Sequence, residues 1–200
     1  MMRLKYISTS IALCTWMLIV AGACNNTAQV DYKKLVDEQR SSGLVDNRIV
    51  LDIGFGMSSQ EFYDYCWQIN KEGLASQGPK NRTVQVEIED LSKPGYMLFY
   101  PNFEDDKIVE MPILFGLHDW SPWNEESFGK EFIFEIRDLV EDWYSIELQL
   151  AIDTTGYPGY IGINGNKKAA LTVQDDQFVK LIVSDMNHIA PGEQLVYKRN

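Results

Sequence analysis

The chain is 200 residues long, which suits one ordinary domain or two small ones. Hydrophobic residues make up 45% of it and aromatic residues 12%, which excludes a disordered chain and allows a sizeable core. The 18 basic and 29 acidic residues give a net charge of −11, which argues against nucleic acid and anionic membrane surfaces as partners. Two histidines and three cysteines leave little material for a zinc site or a disulfide framework, so we expect no metal and no cofactor.

Residues 1–23 have the features of an export signal. Arg3 and Lys5 supply positive charge, and the apolar run 11–20 is shorter than the roughly 20 residues of a membrane-spanning helix. Small residues then lead into Cys24, and this stretch resembles a bacterial lipobox, in which a peptidase cleaves before the cysteine and the thiol receives the lipid. The resemblance implies that residues 1–23 are a lipoprotein signal peptide and that Cys24 carries a lipid with fatty acyl chains such as palmitate. Plain secretion is the alternative.

The residues after Cys24 bear on the location of the protein. Asn25 stands where an Asp would resemble an inner-membrane retention signal, so we expect an anchor in the outer membrane. The run 25–29 lacks the acidic cluster of surface-exported lipoproteins of Bacteroidetes, which favours a periplasm-facing orientation. The whole chain resembles small uncharacterised lipoproteins of Bacteroidetes, which implies the cell envelope. Loss of the signal removes Cys14 and two basic residues, changes the charge from −11 to −13, and leaves Cys66 as the one free thiol.

Polar composition divides the remaining chain into a lipidated tether, residues 24–47, and a single domain, residues 48–200. A short helix over 31–40 can form within the tether. In the domain, alternation predicts a first strand over 48–55. Ser58 and Glu61 have the spacing of a capping box, which predicts a helix ending near Gly73. Cys66 falls on the apolar face of this helix, so we expect an inert thiol in the core.

Three strands follow the first helix, at 83–89, 96–100 and 108–117. The proline at 112 predicts an edge position or a bulge in the third of them. A second helix is predicted to begin around 121–124, and its apolar residues recur three and four positions apart through Trp143. The last strands are predicted at 148–152, 160–163, 167–173 and 178–184, with a two-residue turn at Asn164-Gly165.

Helices do not alternate one-for-one with strands, so we predict an α+β fold with an antiparallel sheet of about eight strands and two helices. Two tandem helix-plus-meander units sharing the sheet are one arrangement that this order allows. The order resembles the tandem repeats of β-lactamase-inhibitor-like proteins. That resemblance implies a sheet whose concave face meets a protein partner.

Two loops carry the candidate binding residues. His118, Trp120 and Trp123 lie where a strand passes into a helix, and they could form an aromatic platform for a sugar or a peptide. The alternative is that both tryptophans cover the start of the helix, with Ser121 and Asn124 as capping residues. Tyr157 and Tyr160 lie in a glycine- and tyrosine-rich loop, which suits an adaptable binding surface or simply joins two strands.

No set of catalytic residues is apparent in the sequence. His118, Asp119 and Ser121 are too close together for easy triad geometry, and no G-x-S-x-G elbow occurs. Ser184, Asp185 and His188 share this weakness. The sequence therefore favours a non-enzymatic envelope lipoprotein that binds a protein or glycan partner through a sheet face or its aromatic loops. A small hydrolase of envelope or dietary polymers is the alternative.

Overall fold

The computed structural model describes residues 32–152 and 158–188. The export signal, Cys24 and Tyr157 therefore lie outside the described residues. Within them, no helix combines the length and the hydropathy needed to cross a membrane.

The described chain is an α+β structure with three α-helices, a nine-stranded antiparallel sheet and a separate two-stranded hairpin. The predicted class is thus confirmed, with one more sheet strand than the approximate eight and one more helix than the two predicted. The predicted first strand over 48–55 is wrong, because a turn at residues 51–52 folds it into the separate hairpin. The helices are α1 (Tyr32–Ser41), α2 (Ser59–Lys71) and α3 (Gly129–Tyr144). The hairpin strands are β1 (Arg48–Val50) and β2 (Ile53–Gly54). The sheet strands are β3 (Ser76–Gln77), β4 (Val84–Ile88), β5 (Gly95–Phe99), β6 (Asn102–Glu104), β7 (Lys107–Leu117), β8 (Gln149–Ile152), β9 (Pro158–Asn164), β10 (Lys167–Val173) and β11 (Val179–Asp185).

The sheet consists of two meanders that meet at its centre. Its order is β3-β4-β5-β7-β11-β10-β9-β8, with β6 pairing with β7 beside β5. The helix α2 precedes the first meander and α3 precedes the second, so each half is a helix followed by a run of neighbouring strands. The last strands of the two halves, β7 and β11, pair antiparallel and join them.

One face of the sheet carries the core. Alternate residues of β7 and β11 are fully buried on this face, as the two-residue period of a strand requires. The helix α3 packs over β10 and β11, and α2 places its buried Phe62 ring against Tyr100 and Phe103. Both halves therefore contribute to a single hydrophobic cluster.

The capping signals at α2 are confirmed. The hydroxyl of Ser58 accepts a hydrogen bond from the backbone N–H of Glu61, whose carboxylate accepts one from the backbone N–H of Ser58. Gly73 follows the helix at a φ of 75°, and the N–H of Leu74 bonds back to the carbonyl of Ile69. Glycine adopts this left-handed conformation without steric cost, which explains the stop.

The predicted start of the second helix is wrong. A short 3₁₀ turn occupies Glu125–Ser127, Phe128 is extended, and α3 begins only at Gly129. A Cβ at position 129 would lie 2.6 Å from the carbonyl oxygen of Asp175, so the close approach of this turn requires glycine. Neither Ser121 nor Asn124 caps α3, because its N-cap is Phe128, which makes no side-chain cap bond.

The proline in β7 does not mark an edge, and the nearest irregularity in pairing is the register shift between β6 and residues 108–110 of β7. Pro112 lies opposite Ile182 of β11, in the middle of the sheet. On the other side of β7, pairing with β5 ends at Ile113 and pairing with β6 resumes at Glu110. Pro112 falls between these two partners, where the ladder is already interrupted, so its missing N–H disrupts no continuous pairing.

The β9–β10 turn is displaced by one residue from its predicted place. Asn164 pairs with Lys167, so Gly165 and Asn166 form the two-residue loop, with a φ of 59° at Gly165. The displacement places the buried Asn166 side chain where it accepts from the N–H of Asp46 and donates to Asn47. The observed β9–β10 register therefore allows Asn166 to form hydrogen bonds with the segment that precedes β1.

Residues 39–47, which the sequence places in the tether, are hydrogen-bonded to the sheet domain. Gln39 accepts from the N–H of Gly165, and Arg40 donates to the carbonyl of Met186. Lys167, only 1% exposed, pairs with Asp46 at 2.7 Å and lies 4.3 Å from the ring centre of Tyr144.

Cys66 is half-buried and packs against the core. Burial raises the pKa of its thiol to about 11. The thiolate is therefore scarce at neutral pH, which agrees with the predicted inert thiol and argues against a nucleophilic role.

Candidate functional site: the aromatic loop

The loop that joins β7 to α3 lies beside the turn that precedes β11. We call residues 118–128 the aromatic loop. Trp120 donates its indole N–H to the carbonyl of Asp176 at 3.0 Å, and Gly129 donates its backbone N–H to the same oxygen. The two segments meet because β7 and β11 are neighbours and the loop leaves β7 where β11 begins.

A buried serine fixes the base of this loop. The hydroxyl of Ser127, in a residue that is 1% exposed, donates to Asp119 and accepts from Lys93 and Asn124 at 2.8–2.9 Å. Lys93 also lies 3.3 Å from the second carboxylate oxygen of Asp119. Burial acts to raise the pKa of Asp119, but hydrogen bonds from Ser127 and Lys93 outweigh it and hold the pKa below its usual value. The Asp119 carboxylate is therefore ionised at neutral pH.

Trp123 projects from this fixed base into solvent. Its side chain is 85% exposed, the largest fraction among the large hydrophobic residues that the structure describes. Trp120, in contrast, is half-buried and hydrogen-bonded. The alternative in which both tryptophans cover the helix start therefore describes Trp120 better than Trp123. A rigid base beneath an exposed indole is suited to binding, because little conformational entropy remains to be lost there.

His118 lies at the edge of the aromatic loop, on the sheet face opposite the helices. Its Nε2 is 2.6 Å from a carboxylate oxygen of Glu87, and its ring centre is 4.9 Å from that of Tyr96. Burial acts to raise the pKa of Glu87, but its hydrogen bond with His118 outweighs this and lowers it. Phe178 meets Tyr96 edge-on, so a polar and aromatic patch continues from His118 towards the 174–178 turn.

The contacts of the serines and histidines do not assemble a hydrolytic triad. His118 pairs with Glu87 and not with Ser121, while Asp119 binds Ser127. The Ser127 hydroxyl already uses its one donor and two acceptor positions, so it has no free lone pair with which to attack a substrate as a nucleophile. Ser184 donates to Glu110 rather than to His188, which pairs with Asp185.

Tyr160 is not part of this site. It lies on the helix-covered face of β9, where the guanidinium of Arg137 stands 5.5 Å from its ring centre. Three strand spacings, about 14 Å, separate β9 from β7. The structure thus brings His118, Trp120 and Trp123 into one loop, places Tyr160 elsewhere, and does not describe Tyr157.

The outer side of α2 carries a second exposed aromatic surface, which was not predicted from the sequence. Tyr63 and Trp67 lie on the outer side of α2, and the Tyr63 hydroxyl is hydrogen-bonded to that of Tyr100. Trp67 is 64% exposed, with the ammonium of Lys71 3.3 Å from its ring centre. The helical period that places Phe62 and Ile69 in the core places Tyr63 and Trp67 on the outer side. This surface could therefore have been predicted from the sequence.

Comparison with protein-family models, with curated proteins and with solved structures finds no match to this chain. Within the two described stretches, no three His, Cys, Asp or Glu side chains are grouped as metal ligands would be.

Proposed function

We propose that this protein is a non-enzymatic lipoprotein of the cell envelope that binds a protein or glycan partner through its aromatic loop. The observation that supports binding most strongly is the exposure of Trp123 above a hydrogen-bonded base. Large exposed aromatics on a fixed support are common at the centres of binding surfaces, where they bury much area at small entropic cost. The lipobox-like sequence at Cys24 supports the envelope location and a membrane anchor.

The chemistry of the loop supports recognition rather than turnover. The Ser127 hydroxyl and the Asp119 carboxylate already form the hydrogen bonds that fix the base of the loop, and His118 is paired with Glu87. An indole face accepts either the apolar face of a sugar ring or an apolar or cationic peptide side chain. A protein and a glycan are the two classes of partner that the test distinguishes.

Replacing Trp123 by alanine should weaken partner binding at least about 30-fold, the size of an aromatic hot spot. The folded domain should keep its stability, because the side chain is 85% exposed and packs against little. The assay presents the soluble domain to a glycan panel and to envelope extract, and measures affinity for whatever ligand is captured.

Trp67→Ala is the matched control, since it removes a second exposed tryptophan from another surface. It should leave the affinity within about twofold of the wild type. Equal losses in both variants, or hydrolysis of a captured polymer that His118→Ala abolishes, would contradict the proposal.

Lipidation makes a separate prediction. Labelled palmitate should enter the full-length protein in a bacterial host and should not enter Cys24→Ala. Cys14→Ala serves as the control, because that cysteine lies in the signal and should not affect labelling. Equal labelling of Cys24→Ala and the wild type would reject the anchor while leaving the binding loop untouched.

A further inference from the structure

We infer that the open edge of β4 is a second binding site, which takes an extended peptide segment with alternating apolar and basic residues. The site lies between β4, the β1–β2 hairpin and the C-terminal end of α3. It adjoins the aromatic loop at Glu87, whose carboxylate pairs with His118, and it would bind by adding a strand to the sheet.

Within residues 32–152 and 158–188, this edge is open because β3 is short. It pairs only with Val84 and Gln85, so the rest of β4 has β5 as its one neighbour among the described strands. The carbonyl of Thr83 points towards β3, because it accepts a hydrogen bond from Gly78. With the period of two, Glu87 directs its own N–H and C=O in that same outward direction. These groups are the ones that an added strand pairs with.

A cleft of about 420 Å³ runs along this edge, within the range of ligand sites. Its floor is apolar and comes from the helix-covered face of the first meander. One wall is the hairpin strand and the other is the end of α3, which contributes an indole. The floor is formed by Val86, Ile88 and Met97, and the walls by Arg48–Leu51, Trp143 and Tyr144. Every second side chain of an added strand would face this apolar floor, which accounts for the apolar half of the motif.

The mouth of the cleft is acidic. Glu89 and Asp90 line it and are exposed, and in the described part of the chain neither forms an ion pair or a side-chain hydrogen bond. Arg48, on the opposite wall, is already 3.4 Å from Asp46. The uncompensated charge is therefore negative, so Lys or Arg on the partner is favoured.

The same charges argue against a second copy of this chain as the occupant. Two β4 edges paired with each other would bring the Glu87–Asp90 carboxylates of both copies together, and like charges across a strand pair are destabilising. Charged edges are a common protection against such self-pairing. A basic partner strand reverses the sign of this interaction.

The test uses an acetylated, amidated seven-residue peptide of alternating lysine and valine, with the matched glutamate–valine peptide as the charge control. Binding is measured by isothermal titration and by amide shifts at β4. The lysine peptide should bind, with the shifts centred on Val86–Asp90, and the glutamate peptide should not. A lysine peptide with proline at its centre should bind at least tenfold more weakly, because it cannot complete the ladder.

Two sets of variants separate the backbone contribution from the charge. Glu87→Pro removes an outward N–H and should weaken binding at least tenfold relative to Glu87→Ala, which keeps it. Glu89→Lys combined with Asp90→Lys should reverse the preference in favour of the glutamate peptide. Failure of the lysine peptide to bind at 1 mM, equal binding of both peptides, or an unchanged preference in the double variant would overturn the inference.

Discussion

Replacing Asp46 by alanine should lower the free energy of unfolding by about 3 kcal/mol, the scale measured when one partner of a buried ion pair is removed. Lys167 is 1% exposed, and its ammonium has Asp46 as its carboxylate partner at 2.7 Å. Without that partner the charge remains buried against the ring of Tyr144, which repays only part of its desolvation. Urea unfolding at pH 7 measures the loss.

A double variant separates the buried charge from simple loss of packing. Lys167→Met in the Asp46→Ala background should recover most of the stability, because an apolar side chain of similar length no longer carries a charge into the core. A double variant that is no more stable than Asp46→Ala would show that the ion pair does not account for the effect.

Acid should remove the contribution of this pair. Burial acts to raise the pKa of Asp46, but hydrogen bonds from Lys167 and from the N–H of Arg48 outweigh it, so the folded-state pKa lies below the usual 3.8. The unfolded chain then binds more protons at low pH, so this stability is complete above about pH 4 and is lost as the pH falls through the folded pKa. Asp46→Asn should show a smaller loss between pH 6 and pH 3.

Phe115→Ala should cost about 3–5 kcal/mol, the range for a large core side chain that leaves a cavity. Phe115 has 0% exposure and lies on β7 between Met97 of β5 and Val179 of β11. Its ring centre is 6.1 Å from that of Trp143 on α3. The substitution therefore removes contacts at the seam between the two meanders, and both halves should lose stability together in one transition.

Phe134→Ala on α3 is the matched control, because its ring is 49% exposed. It should cost less than about 1 kcal/mol, as surface truncations do. A shared core would be contradicted if the two meanders of the Phe115→Ala protein unfolded in separate transitions. Equal losses of unfolding free energy in Phe115→Ala and Phe134→Ala would also contradict it.

The fold class could be predicted from the sequence because helix caps and strand alternation, which define its elements, depend on residues close together in the chain. The capping box at Ser58, the stop at Gly73 and the alternation in β4 each depend on neighbouring residues, and the structure contains all three. The start of α3 and the place of Pro112 depend on the turn at Asp175 and on where β5 gives way to β6. Such long-range pairings leave no periodic trace in the sequence.

The candidate site was predictable in part for the same reason. A strand-to-helix loop with two tryptophans indicated His118, Trp120 and Trp123, which the structure keeps within one loop. The hydrogen-bond network at the base of this loop was not predictable, because Lys93, which donates to Ser127, lies 34 residues away in the sequence. Tyr160 faces the other side of the sheet, since register decides which way a strand residue points.

Crosslinking in cells that export the protein decides whether the aromatic loop is the binding surface. A photoreactive phenylalanine analogue at position 123 should join the protein to one defined partner in the envelope, and the analogue at position 67 should not give that product. The same product at both positions, or none at position 123 while position 67 crosslinks, would contradict a role for the loop in binding.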